Sequence, residues 1–390
     1  MRPDARSGAG EAIMLLALSA FTSGISLRCV EPMLPQLASE FETSVSAAAV
    51  VVTAFALSYS AAVLLVGPLG DRYGKLRIVT IATALAGAAS LGCAVAWDLG
   101  SLAAMRFVMA LFASAPVALG MAYIGDVVPI GERQATIARF IGGSIFGQTL
   151  GPLFGGVLTD WTGWRSTFVV VGVVFLLASA ILLARTRRTW PAIAPGRFQP
   201  LAVHARLLAR PAVRWMVGVG IAETFFFFGG YVFLGAFFRE RFGLSFTVIG
   251  LLLAGYGVGG LLYSFMVRGL MRLFGEGIVV AGGVLGFLLF AVMVFAPDWR
   301  WAVPCTIGLG LAFYLIHNTI QTKATEVAPD ARGAAVALYA SAWSTGQALG
   351  VAAMGLAVAV APYSYAIASF AFGFAVLGVW LRTNLWRLKP

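Results

Sequence analysis

Gly67-Pro68-Leu69-Gly70-Asp71-Arg72-Tyr73-Gly74-Lys75-Leu76-Arg77 is a charged, glycine-rich turn clamped between two long apolar runs. With hydrocarbon-like sequence on both sides, the turn has to sit at a membrane surface. The composition around it agrees: 60% of the residues are hydrophobic and only 11% are charged, with a mean hydropathy of +0.91. That leaves far too little polar surface to cover a soluble globule of this size. Apolar segments of ~20 residues recur along the chain, the length needed to cross ~30 Å of hydrocarbon at 1.5 Å per residue. Twelve are expected, near residues 12–36, 46–69, 76–97, 100–125, 134–159, 164–184, 213–238, 246–267, 277–296, 300–322, 333–359 and 363–382. The runs lack period-two alternation and are about twice the length of a barrel strand, which excludes a β-barrel. The fold class is an all-α integral membrane protein.

The net charge of +11 is accounted for by position, with no need of a nucleic-acid partner. If the N-terminus is cytoplasmic, twenty-one of the twenty-seven Lys and Arg fall on the cytoplasmic side. Arg165, Arg239, Arg241 and Arg300 fall outside, and Arg28 and Arg106 lie within spans. The expectation is a multi-pass protein of the plasma (inner) membrane with both termini cytoplasmic. The first span ends in Pro-Met-Leu-Pro and carries Arg28 and Glu31, so it reads as a retained helix and not a cleaved leader. Cys29, Cys93 and Cys305 all fall inside spans without paired spacing, which indicates buried thiols and neither a disulfide framework nor a metal site.

The longest polar interruption, 185–211, contains Pro191, Pro195, Gly196 and Pro200 among several arginines and divides the spans six and six. The expected organisation is a bundle over 1–184, a cytoplasmic linker loop over 185–211 and a second bundle over 212–390. The halves match at an offset of about 200 residues. Arg133 precedes Gly147-Gln148-Thr149-Leu150-Gly151 by fourteen positions, and Arg332 precedes Gly346-Gln347-Ala348-Leu349-Gly350 by fourteen. Asp126-x-x-Pro129 mirrors Glu326-x-x-Pro329, Phe41-x-x-Ser44 mirrors Phe242-x-x-Ser245, and Gly74 aligns with Gly275. An even number of spans in each half makes these parallel repeats, which leads to two pseudo-symmetric six-helix bundles with a site between them near mid-membrane.

Span five carries Gly147-x-x-x-Gly151-Pro152-x-x-Gly155-Gly156, where small residues at helical spacing strip one face to backbone and Pro152 removes a helix hydrogen bond. The second half keeps Gly346 and Gly350 but has Val351 for the proline and Met354 for a glycine. Four charges lie within spans: Arg28, Glu31, Arg106 and Glu223. Each costs at least ~2.5 kcal/mol on insertion scales and so marks a functional position facing protein or water. Arg28 and Glu31 share a helix face, and Glu31 could pair with either Arg28 or Arg106, unless Arg28 and Glu31 simply snorkel to headgroups where Pro32 and Pro35 end the helix. Glu223 stands about ten residues into span seven, at mid-membrane, followed by a Phe225 to Phe228 run that could face substrate or lipid. Tyr256, His317 and Asn318, with Tyr231, Tyr263, Tyr314, Gln148 and Gln347, are further polar groups for a cavity wall.

The turn, with its Gly67, Gly70, Asp71, Arg72, Gly74 and Lys75, resembles the loop between the second and third helices of the major facilitator superfamily of secondary transporters. Span five, with Gly147, Gly151, Pro152, Gly155 and Gly156, is similar to the antiporter motif of that superfamily's drug and proton antiporters. Arg106 follows Leu102 by four, as in the family's fourth-helix motif, whose arginine is linked to proton transfer; the motif's downstream Gln-Gly is Met109-Ala110 here. The resemblance implies the major facilitator fold, a small-molecule substrate and export more than uptake. It also implies a turn that latches the halves on the cytoplasmic side when the outer side is open. The resulting expectation is a monomeric, proton-coupled exporter of small amphipathic organic molecules, with Glu31 or Glu223 as the proton site. Efflux of a sugar or metabolite is the alternative within transport, and a channel or a membrane enzyme the alternative outside it. No cofactor is expected. Leu69 and Leu76 stand where a phosphate-binding loop needs glycine and Ser or Thr, and the two histidines, His204 and His317, have no metal spacing around them.

Overall fold

A computed structural model of the protein describes residues 3–193 and 201–388, with side chains described from Gly10 onward. Pro195, Gly196 and Pro200 of the expected linker lie outside the described residues. Long helices dominate and, among the described residues, there are no strands. Along the first half run α1 (Pro3–Arg28, continued by Glu31–Met33 and Leu34–Glu40), α2 (Val45–Tyr73), α3 (Lys75–Ala94), α4 (Leu99–Val127), α5 (Ile130–Thr162) and α6 (Trp164–Thr186). The second half has α7 (Pro211–Phe242), α8 (Phe246–Phe274), α9 (Ile278–Phe295), α10 (Ala302–Glu326), α11 (Arg332–Val360) and α12 (Tyr363–Asn384). Among the described residues, ten stretches are long and apolar enough to cross a membrane, taking in every helix but α5, with α8 and α9 together in the helical stretch Phe246–Phe295. The opening turns of α5 carry Glu132, Arg133, Gln134 and Arg139, which lower its hydropathy.

The described parts of the linker, 185–193 and 201–211, are more ordered than its charge and proline content suggest. Arg187–Thr189 form a 3-10 turn after α6, and Ala202–Leu208 form a short helix that buries His204 and Leu207 and packs on α11. The apolar Leu207 gives that segment a reason to fold.

The helix contacts follow the sequence repeat. In the first half α1 packs on α5, α2 on α4, and α3 on both α4 and α6; in the second half α7 packs on α11, α8 on α10, and α9 on both α10 and α12. The halves meet through α5 against α8 and α2 against α11, two contacts that a rotation exchanging the bundles would interchange. Local chemistry repeats too. Ser44 caps the start of α2 by accepting from Ala47 N at 3.1 Å, and Ser245 caps α8 by accepting from Val248 N at 3.3 Å. Gly74 and Gly275 both end their helices with positive φ, 94° and 51°, which a side chain would strain. Without much hydrophobic drive between helices in lipid, close backbone approach sets the packing. A Cβ on Gly87 of α3 would lie 3.0 Å from Gly172 O of α6, and one on Gly283 of α9 would lie 3.1 Å from Phe374 O of α12.

Candidate functional site

The two ends of the bundle pair differ. At the end opposite the charged turn the halves are sealed. On α5, Gly147 and Gly155 press on the backbone of α1 at Phe21 O and Cys29 O, so those glycines serve packing within their own half. Gly156 faces the other way, onto Phe246 O at the start of α8, while Gly250 of α8 packs on Pro152 O. The glycines of the span-five motif thus split between the two neighbours of α5. Asp160 completes the seam from α5, its carboxylate accepting from Phe246 N at 3.2 Å and Thr247 N at 2.7 Å, which caps α8 from the other half. Gly235 of α7 adds a contact with Glu31 O, where an added Cβ would come to 3.1 Å.

Toward the end carrying the charged turn the halves part around a cavity of about 370 Å³. Its wall is built from the inner portions of α5, α8, α10 and α11, including Gln148, Tyr256, Tyr314, His317, Asn318 and Tyr339. Among the described lining residues none is Lys, Arg, Asp or Glu, so the wall presents rings, hydroxyls, amides and one imidazole. Gln148 reaches the cavity, whereas its repeat counterpart Gln347 is buried with neither amide atom hydrogen-bonded.

Arg28 and Glu31 lie behind the cavity wall, on the sealed side. Arg28 Nη1 donates to Glu31 Oε1 at 2.6 Å, and both side chains are essentially inaccessible. Burial in protein therefore replaces snorkelling, and Glu31 takes Arg28 as its hydrogen-bond partner. The Arg28 guanidinium also reaches across to the second half, 4.2 Å above the Phe228 ring and 5.2 Å from that of Tyr256. One atom of each group, Arg28 Nη2 and Glu31 Oε2, has no hydrogen bond. Arg106 is held differently. Its Nη1 donates to Ser26 O at 2.8 Å, its Nε to Val51 O at 3.4 Å, and the Phe55 ring lies 4.1 Å beneath it, so it ties α4 to α1 and α2 through backbone oxygens.

Glu223 is fully buried in α7, beside the cavity. Tyr339 Oη donates to Glu223 Oε2 at 3.1 Å and stands 2.9 Å from His317 Nδ1. His317 Nδ1 is also 3.3 Å from Glu223 Oε1, close enough for charge interaction but not aligned for a hydrogen bond, which leaves Oε1 without one. The Phe225 to Phe228 run faces neither cavity nor lipid as a unit. Phe227 and Phe228 are buried in the second half against Phe313, with Phe228 also against Trp343, and Phe225 stacks on Phe370.

The charged turn binds within its own half. Lys75 Nζ reaches Asp126 at 2.7 Å and Asp71 at 3.2 Å, and Arg77 donates to Pro191 O at 3.0 Å. Gly70 packs beneath Leu119 and Gly74 against the Pro191 ring, Gly67 faces open space, and the Arg72 guanidinium lies 5.4 Å from the Tyr73 ring. The turn is engaged with α4 and the linker at the open end of the molecule. Tyr339 and Trp343, spaced i and i+4 on the cavity face of α11, escaped the sequence reading. That aromatic spacing was the available signal.

The family model of the Major Facilitator Superfamily matches residues 16–351 and 231–389, and the chain belongs to that superfamily. It is 23% identical over 286 residues to the efflux pump radE of Floropilus chiversii; the match takes in 66% of this chain and 53% of that protein, so the chain spans about half its length. It is 26% identical to the inner membrane transport protein YnfM of Escherichia coli, over 68% of this chain and 67% of that one. Among solved structures, a bacterial homologue of the human lysosomal transporter Spinster, in its inward-facing and occupied conformation, superposes with a TM-score of 0.73 at 18% identity, covering 100% of this chain and 97% of the other. The twelve-helix, two-bundle architecture is that of the superfamily.

Proposed function

We propose that the protein is a proton-coupled exporter of small amphipathic organic molecules, standing here with its cavity open to the cytoplasm. The observation that carries this reading is a cavity between the halves, sealed at one end and open at the other, with two buried carboxylates near it. Glu31 and Glu223 each keep one oxygen without a hydrogen bond; Arg28 holds the other oxygen of Glu31, and His317 lies 3.3 Å from the unbonded Oε1 of Glu223. Protonation of such a carboxylate removes its half of the pair and changes which packing of the halves is favoured. The excess of Lys and Arg at the open end supports a cytoplasmic orientation for that end, for both termini and for the linker over 185–211 that separates bundles 1–184 and 212–390. It also supports residence in the plasma membrane.

The wall of rings and hydroxyls suits an amphipathic ligand, and efflux by the relative radE points the same way. We assign Arg106 to holding α1 and α2 in register, and the split glycine motif of α5 to the outer seal. The protein acts alone, with substrate, protons and lipid as its partners. The test is efflux from reconstituted vesicles under an imposed pH gradient, screened against a mixed compound library. A gradient-dependent efflux that E31Q and E223Q both retain unchanged rejects the assignment of the proton sites, and flux without saturation rejects carrier transport.

A further inference from the structure

Three side chains from three helices of the second half meet beside the open cavity: Glu223 of α7, His317 of α10 and Tyr339 of α11. We propose that they form a proton relay, in which His317 takes a proton from cavity water, Tyr339 passes it inward, and Glu223 stores it. This deepens the reading above, on which its role in transport rests.

The geometry orders the steps. His317 lines the cavity and is partly accessible, whereas Glu223 is sealed, so water reaches the imidazole first. Nδ1 of the imidazole is turned to the Tyr339 hydroxyl at 2.9 Å, which leaves Nε2 to accept the incoming proton. The Tyr339 hydroxyl has one proton; given to Glu223 Oε2 at 3.1 Å and not to the more distant His317 O at 3.4 Å, it leaves the oxygen to accept from His317 in its Nδ1–H tautomer. Three moves balance. Water gives a proton to Nε2, Nδ1–H passes to the tyrosine oxygen, and the tyrosine proton passes to Oε2. The result is a neutral carboxylic acid, an intact tyrosine and a neutral imidazole that has exchanged its tautomer. Glu223 Oε1, buried and without a hydrogen bond, marks a carboxylate that this packing does not fully satisfy.

The other charged or titratable groups nearby are few. From α8 comes Tyr256, with Arg28 of α1 over its ring, and α12 offers the Phe374 ring to Phe227. The Arg28 charge is matched by Glu31 at 2.6 Å, so among the described residues the electrostatic partner of Glu223 is His317. Glu31 lies on the sealed side, which makes the His317 cluster the entry for protons from the open end in this conformation. Tyr339 is the carrier between His317 and Glu223, 2.9 Å from Nδ1 and 3.1 Å from Oε2.

The chain has two histidines, so nuclear magnetic resonance of the full-length protein labelled with [15N]histidine in nanodiscs resolves His317 directly, with H204Q assigning the other signal. At one fixed pH, E223Q removes the carboxylate that takes the Tyr339 proton and is expected to move the His317 Nδ1 resonance. E223D, which keeps a carboxylate on α7, is expected to bring the resonance back toward its wild-type position. Y339F removes the acceptor of the Nδ1 proton and moves the Nδ1 resonance. An unmoved Nδ1 resonance in E223Q or in Y339F overturns the relay; should E223Q fail to fold, Y339F decides alone. No transported compound enters the measurement. A coupled cluster in a protein that shows no proton-driven efflux therefore sinks the proposed function and not the cluster, and the reverse result does the opposite.

Discussion

Gly155 and Gly156 are neighbours in sequence and look alike in any composition argument, yet they face different halves of the molecule. A Cβ on Gly155 meets Cys29 O of α1 in the same half, and a Cβ on Gly156 meets Phe246 O of α8 in the other, in both cases well inside the separation real Cβ atoms tolerate. Each obstacle is backbone, which cannot swing aside as a side chain can. Overpacking of this kind costs about 1–3 kcal/mol. For G155A the strain is present whichever end is open, because α1 and α5 belong to one bundle. For G156A it is present only while the α5–α8 seam is closed. Opening that seam relieves it, so the ratio of outward-open to inward-open molecules should rise by ~5- to 150-fold, at ~1.4 kcal/mol per factor of ten. The assay is distance measurement between spin labels at Trp161 on α5 and Val360 on α11, both exposed near the sealed end, in a protein whose three cysteines are buried. G156A should lengthen the major distance; G155A should lower the thermal midpoint and leave the distances alone. Equal effects of the two substitutions on the distances refute the assignment of the seam.

Other consequences are simpler. E31Q leaves the Arg28 charge buried without its 2.6 Å partner and should destabilise the detergent-solubilised protein by about 3–5 kcal/mol, with R28M/E31Q recovering much of the loss in a thermal melt. D160A removes the cap that α5 supplies to Phe246 N and Thr247 N, worth about 1 kcal/mol, and should move the label distances in the direction of G156A by ~5-fold in population. Beyond the membrane, bidentate Arg210 holds the Asp330 carboxyl down at about 2, below its ordinary 3.8. A carboxyl lowered on folding stabilises the fold above its unfolded value, and that contribution is lost as pH falls from 3.8 to about 2. D330N should therefore melt below wild type at neutral pH, with the gap closing across that acid window.

Much of the architecture was legible because hydrocarbon imposes it. Runs of ~20 apolar residues have one way to satisfy their backbone in a bilayer, and they appear as helices. The repeat was legible because it reuses local chemistry: Ser44 and Ser245 cap equivalent helices, and Gly74 and Gly275 end them. Membrane charges flagged Arg28, Glu31, Arg106 and Glu223 because burial makes them conspicuous. What each one touches was not legible. Arg106 found backbone oxygens instead of Glu31, and nothing in the sequence favours one over the other at that range. Tyr339 was overlooked because a tyrosine in an apolar helix is ordinary until its hydroxyl proves to lie between a histidine and a buried acid. Asp160 escaped notice because it lies at the end of α5, where a charge is expected at a membrane surface, and its partners are backbone amides of a helix 86 and 87 residues away. The open end of the cavity depends on how the bundles are tilted, which helix periodicity does not encode.

The most direct measurement is proton movement itself, read by a pH-sensitive dye sealed inside reconstituted vesicles when a transported compound from the library screen is added outside. The account predicts a compound-dependent proton flux in the wild-type protein, in the direction opposite to the compound, that disappears in the E31Q/E223Q double variant while the compound still binds. Proton flux of the same size in that variant, or saturable compound movement with no accompanying protons in the wild type, contradicts it.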